Sequence, residues 1–549
     1  MNLFTTILRF LQTTKEIDLP LFYPEVCLVV GLVGILFFQL FRYVKEISPF
    51  LLMAGVFFIA GLFSCFGLET QHRTEIFSGL LVVDSFTCFF RFLFSLTGFF
   101  LSLLLYLNNP VSSKSAEADI AVLLLGATLG TFLMVSTNHL LMIFLSIEMA
   151  SIPSYLLVSL RRSQKRTSEG SLKYAVYGAV ASGILLYGLS LLFGLFKTAH
   201  LPTMANEIIR LFPAMEQAEI MLFSIAGLMV IVGLAFKVSA FPFHFWCPDV
   251  FESASSEVNL FLSISSKGAA LALFIRLIAP FGIFETSPEI LNQIRYFLSV
   301  VLAVLGVLTV TFGNLAAYGQ TSLKRLMAYS TIAHAGLLLL PLIVLLTALD
   351  ISSKELAVGA VSSLLIYLGI YLFLNLGMFA FTAAVCDNNE SANIHDNLSG
   401  LIYRQPTIAI SIVLILFGLI GIPPLSGFVA KFAIFAALTS GYLASGNILF
   451  LFLLLVGGIN TVISLGYYLY LIKIIVWTPS TTRPTVTHTL TPATPQTETI
   501  GTYSTQQYHS NFSRGLTALV TLCGSSTLIL FLFWDTIYTV CLRAAHSLF

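Results

Sequence analysis

Six side chains able to carry a proton lie in or beside long apolar runs of this sequence. They are Glu148 (FLSIEMASIP), Lys173 (GSLKYAVYG), Lys237 and His244 (GLAFKVSAFPFHFWCPDV), Lys267 (SISSKGAAL) and Lys431 (GLIGIPPLSGFVAKF). A charge at the centre of a membrane helix costs about 2.5–3.5 kcal/mol on insertion scales. Several such costs in one chain argue that the charges are used. In general, burial favours the neutral form of a lysine and a nearby carboxylate holds the proton on, so a Glu–Lys pair of variable separation is a switch for proton affinity. Glu148 with Lys237 or Lys173 is the expected pair. A histidine such as His244 can pass a proton through either ring nitrogen. The competing explanation is that each group forms a structural ion pair or snorkels to the surface. It fits best at Lys173, which stands near a loop.

Prolines interrupt two of these runs. Pro242 follows Lys237, and Pro423–Pro424 precede Lys431. A proline removes a donor and frees a carbonyl one turn back. Freed backbone at membrane depth must be satisfied by protein or by cavity water. Local hydration is therefore expected beside both lysines. Polar faces recur nearby: Tyr367, Tyr371 and Asn375; Ser330, Thr331 and His334; Asn460, Ser464 and Tyr468. Each could line a water path or supply hydrogen bonds between packed helices.

These residues need membrane helices to position them. The chain has 549 residues, 57% hydrophobic and 10% charged, with net charge +1, against about 25% charged in soluble domains. That composition excludes a water-soluble globular fold and gives no reason to expect a nucleic-acid partner. Apolar windows fall at 22–41, 49–67, 80–106, 119–137, 139–160, 174–197, 219–241, 258–279, 296–316, 326–348, 357–386, 407–438, 447–476 and 515–540. The expected fold is an all-α polytopic membrane protein with about fourteen transmembrane helices. The start of the chain does not read as a signal peptide, since Arg9 breaks its apolar stretch. The seven cysteines include no C-x-x-C pair, which argues against iron–sulfur, zinc and covalent haem sites. No nucleotide-binding motif is present.

Basic residues in the loop RRSQKR (161–166), together with Arg42, Lys45, Lys324, Arg325 and Arg404, follow odd-numbered spans. Those loops are expected to face the cytoplasm, with both termini on the other side. Arg73, Arg210, Arg276 and Arg295 read as positives in the opposite loops. The seventh and twelfth windows each pair a lysine with a proline break, five spans apart. That predicts two inverted five-helix repeats, each with a broken helix. The expected organisation is 1–118 for the first three helices, 119–279 and 296–476 for the repeats, 477–514 for a polar loop, and 515–549 for the last helix. Residues 478–513, rich in Thr, Pro and Gln, lack the apolar content to fold alone.

The phrases GLAFKVSAFPFHFWCPDVFE, FLSISSKGAALAL, GNLAAYGQTSLKRLMAYSTIAHAG, YLFLNLGMFAF and GIPPLSGFVAKF occur in order between about Leu140 and Lys473. Together they resemble the antiporter-like membrane subunits of proton-pumping NADH:quinone oxidoreductase, respiratory complex I. Lys431 stands where one branch carries a glutamate, and no long lateral helix follows the last span; these features resemble the N-type branch. The resemblance implies a proton-translocating membrane-arm subunit that binds no cofactor itself, in a complex using NADH, FMN, iron–sulfur clusters and quinone. It implies M-, K-, J- and L-type subunits as neighbours and the bacterial inner membrane as the location. It also implies roles: Glu148 and Lys237 as an ion pair, Lys267 as the central carrier, Lys431 nearer the exit, and Lys173 and His244 as further relay positions. A subunit of a multisubunit cation/proton antiporter, or of a ferredoxin- or hydrogenase-linked membrane complex, is the alternative. The stretch FESASSEV (251–258) departs from the family pattern by lacking two prolines and adding Glu257. At 1.5 Å per residue Glu257 stands about 15 Å from Lys267, too far to pair with it.

Overall fold

The computed structural model describes residues 19–41, 48–69, 73–108, 114–160, 165–281, 289–351, 353–386, 394, 398–478 and 513–549. Arg9, Arg42, Lys45, the basic residues Arg161 and Arg162, and nearly all of the polar 478–513 segment lie outside them.

Among the described residues, fourteen helices are long and apolar enough to cross a membrane. Helices α1 (Tyr23–Phe41), α2 (Pro49–Phe66) and α3 (Ser85–Asn108) come first, with a short hairpin, β1 (Thr74–Ile76) and β2 (Leu81–Val83), between the last two. Next come α4 (Lys114–Ser136), α5 (Leu140–Val158), α6 (Lys165–Phe196), the short amphipathic α7 (Leu201–Leu211) and α8 (Gln217–Val238). The eight-residue α9 (Trp246–Ser253) leads into α10 (Ser256–Phe261), a π turn (Leu262–Ser266) and α11 (Lys267–Ile278). Helices α12 (Glu289–Ala317), α13 (Leu323–Asp350) and α14 (Lys354–Cys386) follow. The remainder is α15 (Leu401–Arg404), α16 (Pro406–Ile420), α17 (Ser426–Ser445), α18 (Ile448–Val476), α19 (Arg514–Leu532) and α20 (Trp534–His546).

Burial ranks these helices by position in the bundle. Every residue of 256–277 is buried, and an apolar 18-residue stretch of Leu323–Leu349 is 94% buried, whereas Tyr23–Leu40 is 22% buried and presents Val30, Phe37 and Leu40 outward. The enclosed helices are those that carry Lys267, Thr331 and His334. Close packing there depends on missing side chains. A Cβ on Gly336 would stand 2.5 Å from the Val310 nitrogen, and one on Gly313 2.6 Å from the Ala333 nitrogen. Small residues let helix backbones approach in this way.

Three expectations change. The window 515–540 is not one helix: α19 ends at Leu532, and the polar Asp535 and Thr536 fall in a separate amphipathic helix, α20. The window 80–106 begins in a strand, because Leu81–Val83 pair with Thr74–Ile76 before α3 starts. Arg276 and Arg295 are not loop charges. Arg276 makes a buried bidentate pair with Asp84, at 2.7 and 2.6 Å, and also donates to Thr87 and to the Val135 carbonyl. Arg295 is buried in α12 and donates to the Leu349 carbonyl. A loop-charge count that omits them sharpens the bias toward the odd-numbered loops. A second buried pair, Arg91–Glu25 at 2.5 Å, ties α3 to α1.

Candidate proton-transfer site

Lys237 occupies the last turn of α8, where the negative end of the helix dipole favours a cation. Its Nζ donates to Ser151 Oγ on α5 at 2.5 Å. Glu148, one turn earlier on α5, acts electrostatically on Lys237 without closing an ion pair, and its Oε1 is buried without a hydrogen-bond partner among the described residues. Ser151 rather than Glu148 thus takes the hydrogen bond from Lys237.

Protein groups take several of the backbone positions at the break after Lys237. Ser239 takes the left-handed conformation (φ 62°), and Ala240 N donates back to the Ala235 carbonyl. Ser239 Oγ donates to the Val238 carbonyl, Trp246 Nε1 to the Phe236 carbonyl, and Phe241 N to Thr309 Oγ1. Protein donors thus reach the carbonyls of Ala235, Phe236 and Val238 at the break.

Lys267 is 2% exposed and donates to both the backbone carbonyl and the hydroxyl of Thr331, at 3.3 Å each. It opens α11 directly after the π turn. Such turns mark functional positions in many helices, and no sequence pattern signals this one. Cys247 on α9 is fully buried in the neighbourhood of Ser239, Thr331 and Lys267.

His334, three residues beyond Thr331, continues the path. Its Nδ1 bonds Tyr367 Oη at 2.5 Å and its Nε2 bonds Tyr468 Oη at 3.2 Å, while Ser330 Oγ bonds Tyr468 at 2.6 Å. The imidazole is within electrostatic reach of both Lys267 and Lys431. A cavity of about 10 Å³, measured to the centre of a water-sized sphere, lies between His334, Tyr367, Tyr371, Gly427 and Lys431. That is room for about one water. Lys431 is buried, and its Nζ donates to the Ile420 carbonyl at 2.8 Å, the end of α16 freed by the second break. A Cβ on Gly427 would stand 1.7 Å from the Gly418 oxygen, so only glycine permits this packing of α17 on α16.

Two of the six expected residues stand apart. Lys173 is part-exposed and paired with Glu169 at 2.7 Å and Asp249 at 2.9 Å. His244 is buried among the rings of Phe241, Phe245 and Phe312, with its Nδ1 unpartnered among the described residues. No hydrogen bond among the described residues joins it to a lysine. Glu257 accepts from Asn108 Nδ2 at 2.6 Å. The residue absent from the expected six is His334. The polar face Ser330–Thr331–His334 contained the signal, but only the fold shows that it lies between two lysines.

Residues 137–459 match the family model described as NADH:quinone oxidoreductase/Mrp antiporter, TM. A protein of Anaeromyxobacter sp. (strain Fw109-5) named NADH-quinone oxidoreductase subunit N is 34% identical over 82% of this chain and 86% of its own length. The chloroplastic NAD(P)H-quinone oxidoreductase subunit 2 of Mesostigma viride is 34% identical over 85% of this chain and 87% of its own. Among solved structures, a chain of respiratory complex I from Thermus thermophilus with bound aureothin superposes with a TM-score of 0.69 at 25% identity, covering 94% of this chain and 98% of that one. A chain of the Mrp complex from Dietzia sp. DQ12-45-1b, at 19% identity and a TM-score of 0.69, shares the fold over 97% of this chain and 96% of its own. With buried lysines on broken helices and these relatives over most of its length, the chain belongs to the NADH:quinone oxidoreductase/Mrp antiporter transmembrane family, on its subunit N branch.

Proposed function

We propose that this multi-pass membrane protein is a proton-translocating subunit of an NADH:quinone oxidoreductase, and that its protons move along Lys237, Lys267, His334 and Lys431. The observation that carries the route is the position of His334, hydrogen-bonded to Tyr367 and Tyr468 and within reach of Lys267 on one side and Lys431 on the other. A proton entering at Lys267 passes by way of Thr331 and His334 to the one-water cavity, and from there to Lys431. Glu148 biases the charge state of Lys237 through space. His244 has a buried ring nitrogen without a hydrogen-bond partner among the described residues, and we assign it a position beside the route.

The chain supplies proton conduction, while electrons pass from NADH through FMN and iron–sulfur clusters to quinone elsewhere in the complex. M-, K-, J- and L-type membrane subunits are the expected neighbours, and a bacterial inner membrane the expected location. The two breaks also support a pair of inverted repeats, 119–279 and 296–476. In each, a lysine stands at the break: Lys237 in the last turn of α8, and Lys431 early in α17 with its Nζ on the carbonyl that ends α16. Moving a charge against a potential costs about 2.3 kcal/mol per 100 mV, so the route must be driven by the electron-transfer reaction.

The test is NADH-driven proton pumping in membrane vesicles carrying Lys267→Ala, with the assembled complex quantified by immunodetection. An assembled complex with sharply reduced pumping supports the carrier role. Wild-type pumping and quinone reduction would remove Lys267 from the route.

A further inference from the structure

We infer that Asp249 is a positioning residue for the Lys267 step: with Lys173, Arg325 and Glu252 it clasps the short helix α9 so that Cys247 stays seated against Thr331 and Lys267. The inference rests on the reading of Lys267 as a proton carrier.

Three elements meet at Asp249. One carboxylate oxygen accepts from Lys173 Nζ of α6 at 2.9 Å, and the other faces Arg325 Nη2 of α13 at 3.4 Å. Glu252, one turn along α9, takes Arg325 Nη1 at 2.8 Å, and Glu169 shares Lys173 at 2.7 Å. Lys324 Nζ donates to the Ala254 carbonyl, which caps α9. A helix of eight residues has little stability of its own, so tertiary ties of this kind fix its place. Cys247 and Asp249 are two residues apart, about 200° around the helix, so they point in opposite directions. The Asp249 face is about one-third exposed, whereas Cys247 is fully buried beside Ser239, Thr331 and Lys267. On the buried side, Trp246 stacks on Tyr174, the neighbour of Lys173, with centroids 4.5 Å apart.

This arrangement assigns Lys173 a different task from the relay: it holds a carboxylate rather than passing a proton. Part-exposed ion pairs are individually weak and screened by salt. The clasp is therefore able to open, and opening it lifts α9 and admits water from this face toward Lys267.

Cys247 is a built-in reporter. Membranes containing the assembled complex are treated with N-ethylmaleimide, and alkylation is followed by mass spectrometry of the peptides carrying Cys247 and Cys541, a second fully buried thiol at the far end of the chain. Asp249→Asn is expected to speed alkylation of Cys247 by about fivefold or more, the scale on which weak pairs gate local opening, with Cys541 unchanged. Protons pumped per NADH oxidised should fall, and Asp249→Glu should restore both readouts toward wild type. If Asp249→Asn does not assemble, the unmodified complex decides: raising KCl from about 20 mM to about 500 mM shortens the screening length severalfold and should accelerate Cys247 alkylation selectively. Alkylation that is insensitive to both perturbations, or that rises equally at Cys541, overturns the clasp. These readouts do not depend on Lys267 carrying protons, which Lys267→Ala tests separately.

Discussion

Removing Asp84 should do more damage than its size suggests, and removing Asp84 together with Arg276 should do less. Asp84 is fully buried. It accepts two bonds from Arg276, at 2.7 and 2.6 Å, and two from Thr87, from its backbone N at 2.8 Å and its hydroxyl at 2.9 Å. In Asp84→Ala the guanidinium keeps only Thr87 and the Val135 carbonyl, and remains a buried cation without a counter-charge. Breaking a buried pair from one side costs about 3–5 kcal/mol. Arg276→Met strands the carboxylate at a similar cost. In the double variant Asp84→Leu/Arg276→Met neither charge remains. Replacing a whole buried pair by apolar groups is often close to neutral, so the remaining loss is the cap on α3, about 1 kcal/mol. The assay is retention of the assembled, detergent-solubilised complex after heating, scored for wild type, both single variants and the double. The expected order is wild type, then the double, then both singles well below. A double variant no better than the worse single would refute the claim that uncompensated charge is what makes this site costly.

Two further outcomes follow from the site. His334→Phe keeps the ring volume but removes the bonds to Tyr367 and Tyr468; pumping in assembled complex should fall by about tenfold, the effect of about 1.4 kcal/mol, and unchanged pumping would take the histidine out of the route. Gly427→Ala places a methyl 1.7 Å from the Gly418 oxygen; it should cost about 1–3 kcal/mol by overpacking and reduce assembly, while Gly369→Ala, where a Cβ meets nothing within 4 Å, should leave assembly at the wild-type level.

Most of the helical frame was legible in the sequence because lipid imposes a length and a composition on each span. The residues worth watching were legible too, since a lysine inside an apolar run is conspicuous. What the sequence left open were the distances. It paired Glu148 with Lys237 or Lys173 but could not show that Ser151 takes the hydrogen bond from Lys237. It listed Lys173 with the relay because spacing looks the same for a buried lysine and for one held at the edge by Glu169 and Asp249. It expected water at Pro242 because a freed carbonyl needs a donor, and the donors, Trp246 and Ser239, are fixed by tertiary packing. The π turn before Lys267 is a backbone register that leaves no compositional trace. The pair Asp84–Arg276 was missed for a related reason: Arg276, at a helix end, read as a loop charge, and Asp84 lay unremarked within the window 80–106.

The nature of the acceptor distinguishes the lysines of the proposed route from Lys173. Lys237 donates to a serine hydroxyl, Lys267 to a threonine carbonyl and hydroxyl, and Lys431 to the carbonyl that ends α16. All of these acceptors are neutral. A lysine that gives up its proton still has two N–H donors, so each of these bonds survives the change of charge and the surrounding helices need not rearrange. The helix-end position of Lys237 and Lys431 adds only the partial charge of a helix terminus, about half an electronic charge, which steadies the cation without fixing it. Lys173 is built the other way. Loss of its proton would leave two carboxylates, Glu169 and Asp249, facing a neutral amine and would remove the charge attraction that ties Asp249 of α9 to α6. A neutral oxygen beside a buried lysine thus permits cycling, and a carboxylate in contact commits the lysine to holding structure. By that criterion Glu148 belongs where the structure puts it, near enough to bias Lys237 and too far to capture it.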